Sequence, residues 1–370
     1  MRINYSFVVF ALSALLTICS CKKSSNTPVP APTNQTTITG PTVTTYAGSG
    51  YGGANNGVDS VASFCHPVGI AVDSVGNVYV SDAIYNIIRK ITPDGIVSTL
   101  AGIPTANPNP SLAISAKNGM GNSATFNYPQ GIVVDDTGNI YVADSQNNLI
   151  RKITPSGLVS TFAGTGKADS TNGPTSTASF SGPSGIALDK SGNIYVADYW
   201  NNQIRKINTE GIVSTLAGSG LNGFGYGSAD GFGNQASFHF PTALTVDLSG
   251  NVYVADLRNS LIRKITPEGL VSTIAGGITT GTNLSVGLPV GITVDTEGNL
   301  YVTSGELIRK ITSSGIVTNY AGSTAIGSTN GIGANASFCN PTGITVGPHG
   351  NGNILYISDC GNNLIRKITN

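Results

Sequence analysis

Charged residues are scarce in this 370-residue sequence, where they make up 10 % of the chain against about a quarter in an ordinary soluble domain. Its 19 basic and 19 acidic residues cancel to a formal net charge of zero, and six Arg-Lys dipeptides take up most of the basic ones. The sequence therefore offers no basic patch for nucleic acid, and we expect no nucleic-acid partner.

Long hydrophobic runs are lacking as well. The apolar run Tyr5–Ile18 has 14 residues, whereas a membrane-spanning helix needs about 20. It follows Arg2 and leads into a segment that resembles a bacterial lipobox, with Ile18 at −3, Ser20 at −1 and Cys21 at the modified position. We expect residues 1–20 to be a lipoprotein signal peptide and Cys21 to be lipidated; an ordinary signal peptide that happens to contain cysteine is the alternative.

The segment that follows, residues 21–41, is rich in Ser, Thr, Asn and Pro and has almost no apolar periodicity. Such a composition predicts a flexible spacer. Lys22 rather than an aspartate follows the lipidated cysteine, which by resemblance to known sorting signals favours the outer membrane. We therefore expect a domain of residues 42–370 that is tethered to the bacterial outer membrane, on its periplasmic face or at the cell surface.

One pattern recurs six times along residues 42–370. It reads Pro-x-Gly-Ile-x-Val-Asp-x-x-Gly-Asn-x-Tyr-Val-x-Asp, then Asn-x-x-Ile-Arg-Lys-Ile, then Gly-x-Val-Ser-Thr-x-Ala-Gly. The copies are 46 to 62 residues apart, which is near the range of β-propeller blades. The prolines that begin the copies are Pro67, Pro129, Pro183, Pro241, Pro289 and Pro341.

Each copy contains four β-rich segments separated by turn residues, so it predicts a blade of four antiparallel strands, a to d. In the first copy the segments are 69–72, 78–81, 87–91 and 97–101. The Asp-x-x-Gly-Asn segment between strands a and b predicts a hairpin turn, because it lacks the ligand pattern and final Glu of a calcium loop.

The last copy ends at Asn370 without a strand d, while Val43–Gly48 at the front of the repeats has the sequence of one. The missing strand and the extra strand complement each other. The sequence thus predicts an all-β, six-bladed propeller with four antiparallel strands per blade, closed by an N-terminal outer strand that completes the last blade.

The repeat resembles the NHL repeat over roughly residues 43–370, and the chain is similar to NHL-repeat propeller lipoproteins of bacteria of the Bacteroidetes type. The resemblance includes an Ala-x-Phe segment before the proline, and we interpret its Phe as an apolar plug between blades. The fifth copy departs, since it lacks Ala-x-Phe and has a shortened b–c turn. The plug residues are Phe64, Phe126, Phe180, Phe238 and Phe338.

An Asp at the end of strand b recurs together with the Arg of strand c, and we interpret the pair as structural because an active site normally breaks the symmetry of its scaffold. The resemblance to six-bladed lactonases and lyases would imply His and acidic metal ligands along the central channel. The three histidines form no such set and show no zinc-type spacing. We expect no cofactor, and leave open whether a metal sits in the channel.

Non-repeating residues collect in the d–a loops and b–c turns, which should emerge at the same end of the blades because the strands alternate in direction. Aromatic residues and Arg are common anchors of binding sites, so we predict a ligand-binding face there. The alternative is that these aromatic residues only fill gaps between loops. The predicted face consists of His66, Tyr85, Tyr128, Tyr199, Trp200, Phe240 and Arg258.

Three cysteines, Cys65, Cys339 and Cys360, should lie at this end near the closure of the ring. In an oxidising compartment a disulfide could join two of them, Cys339–Cys360 being our first choice and Cys65–Cys360 the second. Three reduced cysteines are the alternative.

Taken together, the sequence favours a non-enzymatic, monomeric domain that binds an envelope protein or glycan or acts as a scaffold through this loop face. A metal-dependent lyase or lactonase-like enzyme that uses the central channel is the alternative function.

Overall fold

The computed structural model describes residues 40–105, 114–220, 225–277, 285–348, 350 and 352–370. These residues form β-strands joined by turns and short 3₁₀ segments, and none of their helical segments is long or apolar enough to cross a membrane. The predicted signal peptide, Cys21 and nearly all of the spacer lie outside the described residues.

The strands form six antiparallel sheets arranged as the blades of a closed ring, which confirms the predicted six-bladed propeller. Strand a of each blade packs against the a strands of its two neighbours, and strands b, c and d follow outward. Strands a to d are Pro67–Val72, Val78–Asp82, Ile87–Ile91 and Ile96–Ala101 in blade 1; Pro129–Val134, Ile140–Asp144, Leu149–Ile153 and Leu158–Ala163 in blade 2; Pro183–Leu188, Ile194–Asp198, Gln203–Ile207 and Ile212–Ala217 in blade 3; Pro241–Val246, Val252–Asp256, Leu261–Ile265 and Leu270–Gly276 in blade 4; Pro289–Val294, Leu300–Ser304, Leu307–Ile311 and Val317–Ala321 in blade 5; and Pro341–Val346, Ile354–Asp359, Leu364–Thr369 and Thr42–Ala47 in blade 6.

Five blades carry a fifth, two-residue strand that the sequence pattern does not predict. It comes from the loop that leads to the blade's own strand a, and it pairs with the outside of strand d, as Gly57 does with Val97. Two residues are too few to show an alternating pattern. The short strands are Gly57–Val58, Gly119–Met120, Gly173–Pro174, Gly231–Phe232 and Gly331–Ile332.

The ring closes as predicted, through the N-terminal strand Thr42–Ala47. It pairs antiparallel with the last strand of the chain, with Val43 opposite Ile368 and Thr45 opposite Arg366. The side chains of Val43 and Ala47 are buried. The short strand Gly331–Ile332 pairs with its outer side, so the closing strand is not at the edge of the sheet.

The hydrophobic core is divided into six clusters, and each lies between two adjacent blades. All five Phe of the Ala-x-Phe segments are fully buried in these clusters, which confirms the predicted plug. In blade 5 Val286 occupies the same place, three residues before Pro289, and it too is fully buried.

One end of the blades, the turn end, carries the a–b and c–d turns. In blade 3 the Asp189 side chain accepts hydrogen bonds from the backbone N–H of Ser191 and Asn193, from the Asn193 amide and from the Tyr195 hydroxyl. The predicted hairpin turn is therefore present. Blades 1, 2, 4 and 5 repeat this bonding to Asp73, Asp135, Asp247 and Asp295.

Candidate functional site

The opposite end of the blades, the loop end, carries the b–c turns and the d–a loops together, as predicted. The two segments are hydrogen-bonded to each other: the N–H of Trp200 donates to the carbonyl of Ser181, and the N–H of Arg258 donates to that of His239. The 3₁₀ segments of the b–c turns at this end are Ser145–Asn147, Tyr199–Asn201, Leu257–Asn259 and Cys360–Asn362. The d–a loops carry 3₁₀ segments of their own that bond to the c–d turns instead, as the N–H of Asp59 does to the carbonyl of Gly95.

Buried Asp–Arg pairs lie beneath the surface of the loop end, and we call them the lower layer. In blade 3 the Arg205 Nη1 lies 2.8 Å from the Asp198 Oδ2, and both side chains are fully buried. Burial raises the pKa of Asp198 to about 6, while Arg205 and the amide of Asn201 act to lower it. The pairs therefore belong to the scaffold, in agreement with the structural interpretation. Equivalent pairs in blades 2, 4 and 6 are Asp144–Arg151, Asp256–Arg263 and Asp359–Arg366.

The same arginines position the d–a loops. In blade 4 the Arg263 guanidinium donates to the carbonyls of Ser237 and Ala229 at 2.9 and 2.8 Å, and it lies over the ring of Phe238, 5.2 Å from its centroid. The buried Arg263 side chain thus holds the d–a loop that ends in His239 and Phe240 against blade 4.

Blade 1 and blade 5 depart from this arrangement. In blade 1 the Arg89–Asp82 distance is 3.9 Å, and Tyr85 stands where the other pairs have an Asn that donates to the carboxylate. Burial raises the pKa of Asp82 to about 7. In blade 5 the b–c turn is shortened to Gly305-Glu306, as the sequence indicates, and Ser304 replaces the Asp.

Three predicted face residues adopt a left-handed backbone conformation that bulky side chains rarely take. His66, Tyr128 and Phe240 have φ values of 64°, 54° and 55°, and the equivalent residues of blades 3 and 6 are Gly182 and Asn340. Glycine and asparagine tolerate this conformation, whereas it costs other residues about 1–2 kcal/mol. Strain of this kind is concentrated at functional sites, so these three positions are candidates for a function.

Five aromatic rings at blades 3 and 4 form a continuous row of contacts, two of them stacked and the others tilted or edge-to-face, which we call the aromatic ladder: Tyr226, His239, Phe240, Tyr199 and Trp200. Successive centroids are 4.5, 4.8, 4.7 and 4.9 Å apart. Phe240 is held by both blades, because its N–H donates to the Asn202 side chain of blade 3 at 2.8 Å. Trp200 packs so closely on Gly182 that no larger residue would fit there.

Arg258 is exposed beside the ladder, and its positive charge affects two of the rings. Burial raises the pKa of Tyr199 to about 12, and the charge of Arg258 opposes this rise. Burial, together with Arg258, lowers the pKa of His239. Because the ordinary pKa of His is about 6.5, His239 is neutral at pH 7 and acts as an uncharged aromatic surface.

Three of the seven predicted face residues, Tyr199, Trp200 and Phe240, belong to the ladder. A fourth, Arg258, lies beside it. Tyr85, His66 and Tyr128 lie in blade 1 and at the start of blade 2, apart from the ladder. Like Phe240, His66 and Tyr128 are bonded to the preceding blade, because their N–H groups donate to the side chains of Asn363 and Asn86.

Two ladder residues, Tyr226 and His239, are missing from the sequence prediction. His239 directly precedes Phe240, and Tyr226 lies in the same d–a loop. Their aromatic side chains are the only feature of the sequence that points to them, because their place in the ladder depends on the conformation of that loop.

The three cysteines lie near the closure of the ring, and the structure holds them as thiols. Cys360 is fully buried, and its pKa is raised by burial and by the nearby Asp359, Asp82, Cys339 and Cys65. Burial likewise raises the pKa of Cys65 to about 11. Such thiols react slowly. The disulfide stays a prediction.

Within the part of the chain that the structure describes, no group of three or more His, Cys, Asp or Glu side chains could hold a metal ion. The a strands of all six blades approach one another closely: a Cβ added to Gly185 would lie 2.7 Å from the Cα of Ala243.

Comparison with known sequences supports the repeat assignment. The NHL repeat model matches residues 126–153 and 180–207, which run from the plug Phe through strand c of blades 2 and 3. The chain thus contains NHL repeats. Teneurin-3 of Danio rerio is 32 % identical over 222 residues, which are 54 % of this chain but only 8 % of the length of Teneurin-3.

Solved structures share the fold at low sequence identity. An auxiliary nutrient binding protein from Bacteroides thetaiotaomicron superposes with a TM-score of 0.63 and 16 % identity, over 89 % of this chain and 76 % of that protein. Virginiamycin B lyase from Staphylococcus aureus superposes with a TM-score of 0.53 and 18 % identity, over 82 % of this chain and 95 % of the lyase. The class defined by repeats and fold is therefore an NHL-repeat β-propeller.

Proposed function

We propose that this chain is a non-enzymatic binding module whose aromatic ladder binds a glycan at the bacterial cell envelope. The observation that carries the proposal is the ladder itself, because its five contacting rings come from positions whose residues do not recur in the other blades. The backbone strain at Phe240 supports it, since packing alone does not require a bulky residue at a position where Gly182 serves in blade 3.

A glycan suits the ladder better than a protein partner does. A stable protein interface buries about 800 Å² on each side. Tyr226 is 57 % exposed, but Tyr199 is only 7 % exposed and the other three rings are partly buried, so the ladder is a narrow strip. The negative faces of aromatic rings suit the C–H faces of sugar rings. The fold likeness to a nutrient binding protein is consistent with a binding role.

The alternative, a lyase- or lactonase-like reaction in the central channel, has less support. The a strands of all six blades lie within the described residues, and none of them contains a His, Asp or Glu. A channel enzyme of that type would need such ligands elsewhere.

The location in the envelope rests on the N-terminal sequence. A lipid on Cys21 would anchor the chain in the outer membrane, and the spacer would hold the propeller away from the bilayer. Metabolic labelling with a radioactive fatty acid tests this: the wild-type chain should be labelled and sediment with membranes, and Cys21→Ser should abolish both. Equal labelling of the two would contradict the anchor.

The ladder is tested by binding of the full chain, carrying Cys21→Ser for solubility, to isolated envelope polysaccharide. We expect the double variant Tyr226→Ala/Trp200→Ala to lose at least tenfold in affinity. Phe232→Ala is the matched control, because Phe232 is an equally exposed aromatic residue on the outer strand of blade 4. It should bind like the parent.

Two outcomes would contradict the proposal. If the double variant keeps its affinity while its melting temperature is unchanged, the ladder is not the site. If treatment of the envelope fraction with protease abolishes capture, the partner is a protein and not a glycan.

A further inference from the structure

Arg258 brings the ladder a positive charge that the other blades do not have at this place. The equivalent residues two positions after the strand-b Asp are Ile84, Gln146, Trp200 and Gly361. The backbone N–H of Arg258 is fixed by its hydrogen bond to His239, at 3.1 Å. Its guanidinium is exposed and forms no hydrogen bond or ion pair with any of the described residues.

The two acidic side chains in the d–a loop and b–c turn of blade 4, which carry His239 and Arg258, are both engaged by Arg263. Asp256 is buried and paired with Arg263 at 3.0 Å, and Asp230 lies 2.7 Å from the same guanidinium. His239 is uncharged at pH 7, because burial and Arg258 lower its pKa. The ladder is therefore a mostly apolar strip with the exposed guanidinium of Arg258 at its side.

Resting on the proposed function, we propose that the ligand is an acidic glycan, whose sugar rings pack on the aromatic ladder while a uronate carboxylate binds Arg258. The planar guanidinium presents parallel N–H donors that match the two oxygens of a carboxylate, and such charge-assisted pairs are roughly twice as strong as neutral hydrogen bonds. A neutral sugar would leave this donor set unused.

The test is calorimetric titration of the full chain carrying Cys21→Ser with uronate oligosaccharides, namely tetragalacturonate, an oligoglucuronate and an alginate tetramer. Each is compared with its methyl ester, which keeps the sugar rings and removes the charge. We expect at least one acid to bind at least tenfold more tightly than its ester, and its affinity to fall with added salt.

Substitutions assign this preference to the guanidinium. Arg258→Gln should weaken binding of the acid at least tenfold and leave the ester unchanged, and Arg258→Lys should be intermediate because it keeps the charge but not the planar donor pair. Lys190→Gln, an exposed cation at the turn end, should bind like the parent.

Two outcomes separate a failure of this inference from a failure of the proposed function. If acid and ester bind alike and Arg258→Gln changes neither, while Trp200→Ala abolishes both, the ladder binds glycan but Arg258 does not select acidic ones. If none of the uronate oligosaccharides binds, the acidic glycan is overturned, whether or not envelope polysaccharide is captured.

Discussion

Two layers lie one above the other at the loop end, and they use the repeat in opposite ways. The lower layer of Asp–Arg pairs recurs in five blades with fully buried side chains. The aromatic ladder above it is confined to blades 3 and 4. Both layers arise from one short turn, since Asp198 of the lower layer is followed directly by Tyr199 and Trp200 of the upper.

This difference shows how a repeat protein can separate stability from recognition. The repeated residues fix the loops to the blade beneath them, and five of the six blades keep both members of the pair. The ladder residues between them take no part in these ion pairs, so they can differ from blade to blade. Mutations in the lower layer should therefore act on stability, and mutations in the upper layer should act on binding.

The largest effect is expected for Arg205→Ala in the lower layer. Removing one partner of a buried ion pair leaves the other charge uncompensated, which costs about 3–5 kcal/mol. The free energy of unfolding, measured by denaturant titration at pH 7, should fall by about this amount. Arg258→Ala in the upper layer is the matched control and should change it by less than about 0.5 kcal/mol. Similar losses of unfolding free energy in both variants would contradict the assignment of stability to the lower layer and of binding to the upper layer.

A smaller loss is expected at the turn end, where Asp189 accepts four hydrogen bonds. Asp189→Ala should lower the free energy of unfolding by about 2 kcal/mol, because it leaves donors of the turn unpaired. Lys190→Ala, its exposed neighbour, should have almost no effect.

The loss in Asp189→Ala should also depend on pH. Burial by itself would raise the pKa of Asp189, but hydrogen bonds from Asn193, Tyr195 and Ser191 outweigh it and lower the pKa. The wild-type advantage should thus be complete above about pH 4, the unfolded-state pKa, and shrink as the pH falls below it. An advantage that does not change down to pH 2 would contradict this account.

The smallest effect is a gain, expected for Tyr85→Asn in blade 1. In the other four pairs an Asn at this place donates to the Asp, as Asn201 does to Asp198 at 2.8 Å. Because burial raises the pKa of Asp82 to about 7, the wild type should lose stability as the pH rises from about 4 to 7. The new amide should stabilise the charged form and add about 1 kcal/mol at pH 8.

Denaturant titrations at pH 5 and pH 8 check this expectation. The gain should be smaller at pH 5, where Asp82 is protonated in the fold. Tyr85→Ala, which removes the ring without supplying an amide, separates the two contributions. An equal gain in both variants would show that the ring of Tyr85, and not the missing donor, is responsible.

The sequence was sufficient to predict the blades and their closure, because these depend on patterns that repeat or complement each other. The six recurring prolines indicate six blades, and Val43–Gly48 supplies the strand that the last copy lacks. The buried Phe plugs are marked by the recurring Ala-x-Phe.

Features that depend on the path of a loop were not predictable. Val286 fills the plug position of blade 5 without the Ala-x-Phe pattern, and the contact of Tyr226 with His239 arises from the folding of the d–a loop of blade 4. The grouping of the face residues also depends on loop paths: Tyr199 and Trp200 pack with Phe240, whereas His66, Tyr85 and Tyr128 lie in blade 1 and at the start of blade 2. That the seven residues belong to a ligand-binding face stays a prediction.

The closing strand also imposes an order on folding. Thr42 pairs with Thr369, so the first strand of the propeller finds its partner only after the whole domain has been synthesised. Joining segments so far apart carries a large loop-closure entropy, and contacts of this kind form slowly. Until then Val43 and Ile368 are uncovered beside unpaired strand edges, which are features that promote aggregation. The unfolded chain is thus most prone to aggregate before blade 6 closes.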